Sequence, residues 1–216
     1  MTIDAAGLQL LLTWMSPAFP TGAFAYSHGL EWAIDSGTVR DGPGLTAWIG
    51  DLIAQGSGWN DAVLFARVWE GDAAALNELA LALASSRERF LETTQVGRAF
   101  AIAADVFLAF PMAEKHQDLA YPIAAALACR AAGIAREAAV LAFLQGFAHT
   151  LTSVAVRLVP LGQTQGLHTI RALMPVIAAT ATRAAAASLD DLGSITIASD
   201  IAAMHHETLN LRVFRT

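Results

Sequence analysis

Residues 136–159 read REAAVLAFLQGFAHTLTSVAVRLV, and this stretch decides the fold class. Val140, Leu144, Phe147, Leu151, Val154 and Leu158 recur at steps of four and three, the spacing that places side chains on one face of an α-helix. The seam holds for about five turns, so the helix it predicts belongs at the centre of a bundle. Gln145, His149 and Arg157 interrupt it before it reaches the roughly 18–20 unbroken apolar residues of a membrane span. No membrane partner is therefore expected.

The same period spreads outward. Helices are predicted over 3–15, 24–36, 43–55, 61–69, 73–84, 87–110, 122–132, 163–187 and 199–205, and no run shows the alternating β-branched pattern of strands. Ser16-Pro17, Gly37, the Gly56-Ser57-Gly58 break and Pro111 supply stops, Asn60 and Asp72 supply N-caps, and Pro175 predicts a kink. Residues 112–121 read as a polar connector. The expectation is an all-α, single-domain bundle of about ten helices over 1–205, with a flexible C-terminal tail, 206–216, whose alternating Leu211-Arg212-Val213-Phe214-Arg215 suits docking on a partner.

Composition narrows the function classes. Charged residues make up 15% of the chain against about 25% in an average protein, and mean hydropathy is +0.48. The 46 alanines account for part of this surplus, since alanine favours helix and tolerates exposure. The remainder predicts uncharged faces that other protein surfaces cover. A net charge of −6 with a single lysine, Lys115, removes the basic footprint of a nucleic-acid binder. One cysteine, Cys129, suits a reducing compartment and reads as a small buried apolar side chain, and residues 1–15 lack the basic start of a secretory signal. A cytoplasmic location is expected.

Chemical motifs are sparse. Neither GxxxxGK[ST] nor GxGxxG occurs, so the chain is not itself an NTPase, and GxSxG and HExxH are also absent. His28 with Glu31, His116 with Asp118, and His205-His206-Glu207 are pairs that suit nickel or zinc, but two ligands do not make a site and no metal is assigned. Around residue 20, Pro17, Pro20 and Gly22 enforce an irregular backbone, and Phe24, Tyr26 and Trp32 add rigid aromatic area of the sort enriched at interfaces.

The stretch from Ser16 to Glu31, SPAFPTGAFAYSHGLE, resembles the N-terminal signature of the urease accessory protein UreF family. Its Pro17, Pro20, Gly22, Phe24, Ser27 and Gly29 are joined, in order, by Val96-Gly97-Arg98, by 155–164 with Arg157, Pro160 and Gln163, and by 200–208 before Arg212-Val213-Phe214-Arg215-Thr216. The chain departs from the family pattern at Leu209-Asn210-Leu211 and at Tyr121. The resemblance implies a helical homodimer that does not catalyse. It implies a place between a UreD/UreH-type protein and a UreG-type GTPase in delivering nickel to apo-urease, with GTP bound by that partner and nickel in transit, so that no cofactor is tightly held. Tyr26, Glu31, His206, Glu207, Arg212, Phe214 and Arg215 are the partner-binding positions it points to. Two other classes stay open: a helical metal-dependent hydrolase using His28, Glu31, His205 and Glu207, and a generic helical adaptor.

Overall fold

The computed structural model describes residues 3–109, 111–112, 118–159 and 161–215. Within them the chain forms α1 (Ala5–Trp14), α2 (Leu30–Asp35), α3 (Gly42–Gln55), α4 (Ser57–Arg67), α5 (Ala73–Ala82), α6 (Arg87–Ala104), α7 (Tyr121–Ala131), α8 (Arg136–Leu158), α9 (Gly162–Ala186) and α10 (Ile197–His206). No strand occurs among the described residues, and single 3₁₀ turns stand at Ala23–Ala25, Asp105–Phe107 and Leu189–Asp191. The all-α expectation is met.

The seam helix is the axis. Val140, Phe143, Leu144, Leu151 and Val154 of α8 are buried, while Phe147 and Leu158 at the edges of the seam are half-buried. After a short link over 159–161, α9 packs along α8, and α3, α4 and α7 close round them. Aromatic rings tie five helices together. Phe65 of α4 lies 4.9 Å from Phe143, Tyr121 of α7 5.4 Å from Phe143, Phe100 of α6 5.7 Å from Tyr121, and Trp14 of α1 6.3 Å from Phe100. Each such side chain taken out of water contributes on the order of 2–3 kcal/mol, so this chain of rings is a main source of cohesion. By length and hydropathy α8 could also cross a membrane, but half of its apolar window is buried against its neighbours. Cys129 is buried as expected, and that burial pushes its thiol up to about 12.

Several boundaries differ from the sequence expectation. The predicted helix 24–36 begins only at Leu30, because Gly22, His28 and Gly29 all have positive φ (73°, 53° and 74°) and break the helical path. His28 and Glu31 therefore do not share a helix face. α4 starts at Ser57, so Asn60 is an interior residue whose side-chain oxygen accepts from the Gly193 amide instead of capping. α6 ends at Ala104, where the chain tightens into a 3₁₀ turn and the Asp105 carboxylate accepts from the Met112 amide. α9 is one continuous helix through Pro175. Asp72 caps α5 as predicted.

Gly97 marks the tightest crossing. A Cβ there would stand 2.0 Å from the Leu119 carbonyl oxygen and 2.8 Å from the Tyr121 nitrogen, both backbone atoms that cannot step aside. Gly97→Ala is expected to cost about 3 kcal/mol. That corresponds to a fall of about 6–12 °C in melting temperature. Gly193→Ala meets nothing within 4 Å and should leave the melt unchanged.

Candidate functional site

Residues 24–31, Arg157 and 206–215, part of the set that carries the family resemblance, converge where the C-terminal tail meets α2 and α6. Glu31 stands in the first turn of α2, where the helix dipole favours a negative charge. Its carboxylate accepts from the backbone amides of Val213 (2.7 Å) and Phe214 (2.9 Å) and faces Nε2 of His206 at 2.9 Å. His206, the last residue of α10, is wholly buried and turns Nδ1 to Glu88 in the first turn of α6, at 2.8 Å. The other oxygen of Glu88 accepts from Arg212 at 2.7 Å. Each ring nitrogen of His206 thus faces one carboxylate oxygen.

The rest of the tail is pinned in register. The Arg215 amide donates to the Ala25 carbonyl at 2.7 Å, and the buried Phe214 ring lies beneath the Arg157 guanidinium, 4.6 Å from its centre. Arg157 also donates to the Phe24 carbonyl at 2.8 Å, so one α8 side chain grips both the loop and the tail. Tyr26 donates to Gln95 at 2.7 Å, Glu207 accepts from the Glu88 amide at 3.3 Å, and the exposed His205 ring stacks on Trp32 with centroids 4.9 Å apart.

Several of the sequence-predicted partner contacts are thus used internally. Tyr26, Glu31, His206 and Phe214 are buried; Tyr26 bonds α6, and Glu31 holds the chain's own tail, because an extended segment with two free amides is the partner at hand for a desolvated carboxylate. Glu207, Arg212 and Arg215 remain exposed. Ser27 and Gly29 shape the loop: the Ser27 hydroxyl accepts from the Glu31 amide, and a Cβ on Gly29 would lie 2.6 Å from the Ala203 nitrogen of α10. Pro17, Pro20, Phe24, Arg98 and Gln163 are exposed, whereas His116 and Pro160 lie outside the described residues.

A second ionic cluster lies beside the first. His28 pairs with Glu92 at 2.7 Å, and Arg89 bonds both. Burial, aided by the Arg89 charge, lowers the affinity of His28 for its proton. Burial would raise Glu92, but Arg89 and His28 outweigh it and hold the carboxyl at about 2. Asp61 faces the same cluster from α4, and burial, opposed by Arg89, raises it to about 6. Among the described residues no group of three or more His, Cys, Asp or Glu side chains could hold a metal, and His28, Glu31 and His205 each turn to a different neighbour. Glu88, Arg89, Glu92 and Gln95 were not singled out in the sequence. Their signal was the dense run of charges over 87–92 in a charge-poor chain.

Two outcomes test this arrangement. Glu31→Gln keeps the shape but weakens two charge-assisted amide bonds, each worth about 1.5–3 kcal/mol, so hydrogen exchange at the Val213 and Phe214 amides should speed up by a factor of about ten or more. Asp61 carries a raised pKa, so its folded form binds more protons than its unfolded form between about pH 4 and 6, and its contribution to stability falls as pH rises through that window. Asp61→Asn should therefore melt higher than the parent at pH 7, by up to about 3 kcal/mol, with the gain shrinking toward pH 4.

Comparison with known proteins places this architecture. The family model described as UreF matches residues 39–174. Over nearly its whole length the chain is similar to curated urease accessory proteins UreF. It is 44% identical over 224 residues to that of Rhodopseudomonas palustris strain BisA53, covering 98% of this chain and 94% of the relative. It is 45% identical over 213 residues to that of Cereibacter sphaeroides strain ATCC 17029, covering 98% and 100%. With the family model matching 39–174 and relatives at this level of identity over nearly the whole chain, the chain belongs to the UreF family of urease accessory proteins.

Proposed function

We propose that this chain is a non-enzymatic scaffold of urease maturation, linking a UreD/UreH-type accessory protein to a UreG-type GTPase during delivery of nickel to apo-urease. The observation that carries this reading is the convergence of residues 24–31, Arg157 and 206–215 on a face built from ion pairs and backbone contacts. In this scheme nickel is cargo, GTP is held by the partner and the complex forms in the cytoplasm.

A homodimer is part of the proposal. Leu8 and Leu12 of α1, Leu167 and Met174 of α9, and Ile197, Ile201 and Met204 of α10 are exposed, and a lone chain leaves all of them in water. A metal-dependent hydrolase has less support, since His28, Glu31 and His205 are engaged apart from one another.

Mixing the chain with UreD/UreH-type and UreG-type proteins is expected to give one species on a sizing column, and the proposal fails if neither partner is retained. Removing the residues after Glu207 should abolish that retention. It should also lower the melting temperature, because Phe214 leaves a buried seat and Glu31 loses its amide donors. Omitting the chain from a urease activation assay should leave urease inactive, whereas unchanged activity would favour a generic adaptor.

A further inference from the structure

A cavity of about 140 Å³ lies between α4, the end of α5 and the start of α6, and none of residues 206–215 lines it. Ser57, Asn60 and Asp61 stand at i, i+3 and i+4 on one face of α4, and Arg89 and Thr93 at i and i+4 on α6, so each helix turns one face to this space. Ala80 and Leu83 give it an apolar wall. Leu83, Gly193 and Ser194 are exposed, so a small molecule can reach it from solvent.

The polar side chains on this wall carry hydrogen-bonding capacity that the fold does not use. The Ser57 hydroxyl oxygen is buried and has no hydrogen-bond partner among the described residues, an arrangement that is costly unless something else meets it. Asn60 is only 8% exposed. Its side-chain oxygen accepts from the Gly193 amide at 2.9 Å, which leaves the two Nδ2 hydrogens over, and no bond takes them among the described residues. The Asp61 carboxylate accepts no hydrogen bond and makes no ion pair there, although the Arg89 charge acts on it from a distance. Thr93 accepts from the Tyr121 amide at 3.1 Å and keeps its own O–H to donate. Arg89 meets His28 and Glu92 through Nη1 alone, and a guanidinium carries five N–H groups.

Donors and acceptors thus line one small space, and that mixture selects among ligands. An inorganic anion would meet Asp61 and, from the first turn of α10, Asp200. A metal cation would meet Arg89 and the positive end of α4. A zwitterion matches both signs but gives up the hydration of two full charges. An uncharged molecule with a carbonyl and an N–H on the same carbon answers both sets at a smaller desolvation cost. A cavity of about 150 Å³ accommodates benzene, so a molecule of up to about six non-hydrogen atoms fits here.

We infer that this cavity is a binding site for a small uncharged amide, a primary carboxamide or a urea, whose N–H groups go to Asp61 and whose oxygen is met by Ser57, Asn60 and Arg89. Ala80 and Leu83 take the remainder of the molecule, an alkyl group in the one case and a second amino group in the other. The site goes beyond the scaffold reading and does not depend on it, because no residue of the tail contact takes part.

Titration of the full chain with acetamide at neutral pH, followed by amide NMR, tests it. The Asn60 side-chain amide and the Gly193 backbone amide should shift together and saturate with a half-point in the millimolar range, as expected for a ligand of so few atoms. Asp61→Asn keeps the shape and should bind about tenfold more weakly, because a charge-assisted bond becomes a neutral one. Ser57→Ala removes a hydroxyl that bonds nothing else among the described residues, so its melt should not fall while acetamide binds about threefold or more weaker. Urea, kept below about 50 mM to avoid denaturation, separates the two members of the class: tighter acetamide assigns a carboxamide, and tighter urea a urea. Saturable shifts given by acetate, methylammonium or glycine more tightly than by either amide would overturn the class. An absence of saturation by any probe to about 50 mM would show a cavity that takes water only. Equal binding by the parent and both variants would place the shifts elsewhere and overturn the site.

Discussion

The carboxylate of Glu31 joins the two ends of this chain across 183 residues. An ionised carboxylate taken out of water costs several kcal/mol unless its oxygens are met by donors. Here they are met by two tail amides and a histidine, and the positive end of α2 adds to the field. The dependence runs both ways. Without Glu31 the tail loses the acceptor that fixes its register, and without the tail Glu31 is a desolvated charge with much of its compensation gone. The cost of breaking the contact therefore exceeds the strength of the bonds in it.

This contact exists only because the loop before α2 is shaped as it is. Gly29 adopts a positive φ and lets the α10 backbone approach to where a Cβ would collide with the Ala203 nitrogen. That approach carries His206 to Glu31 and lays His205 on Trp32. His28, in the same positive-φ turn, points away from Glu31 and into the Arg89–Glu92 cluster with its ring edge against Phe147. Ser27, His28, Gly29 and Glu31 thus have four different tasks: a hydroxyl for the Glu31 amide of α2, a member of the buried cluster, a close crossing and a tail acceptor. Their adjacency in sequence reflects one tight turn that serves two clusters.

Much of the fold was legible because it is local. The seam of α8, the Asp72 cap and the Ala-rich periodicity each depend on residues within a few turns of one another, and the structure follows them closely. Failures came where distant residues decide. Asn60 is a good cap by composition, yet it lies inside α4 because its oxygen serves Gly193, 133 residues away. The start of α2 moved six residues because the approach of α10 requires the turn at His28 and Gly29. At the site, the sequence marked Glu31, His206, Arg212 and Phe214, but no spacing rule could tell that they meet each other. Glu88 and Glu92 went unmarked because a charge run at a helix start ordinarily reads as a solvated face, and only the fold shows the run to be half-buried.

The first two turns of α6 are where these observations combine. Glu88 belongs to the tail clamp, and Arg89 and Glu92, on the same rigid backbone, belong to the buried cluster with His28. Glu88, Arg89 and Glu92 stand within the first two turns of one hydrogen-bonded helix, so the two clusters share one rigid support. In that cluster the Arg89 charge opposes desolvation at both carboxylates, Glu92 and Asp61, so a shift of its guanidinium changes the balance at each. Two histidines, His28 and His206, each set beside carboxylates, mark the two ends of that connection.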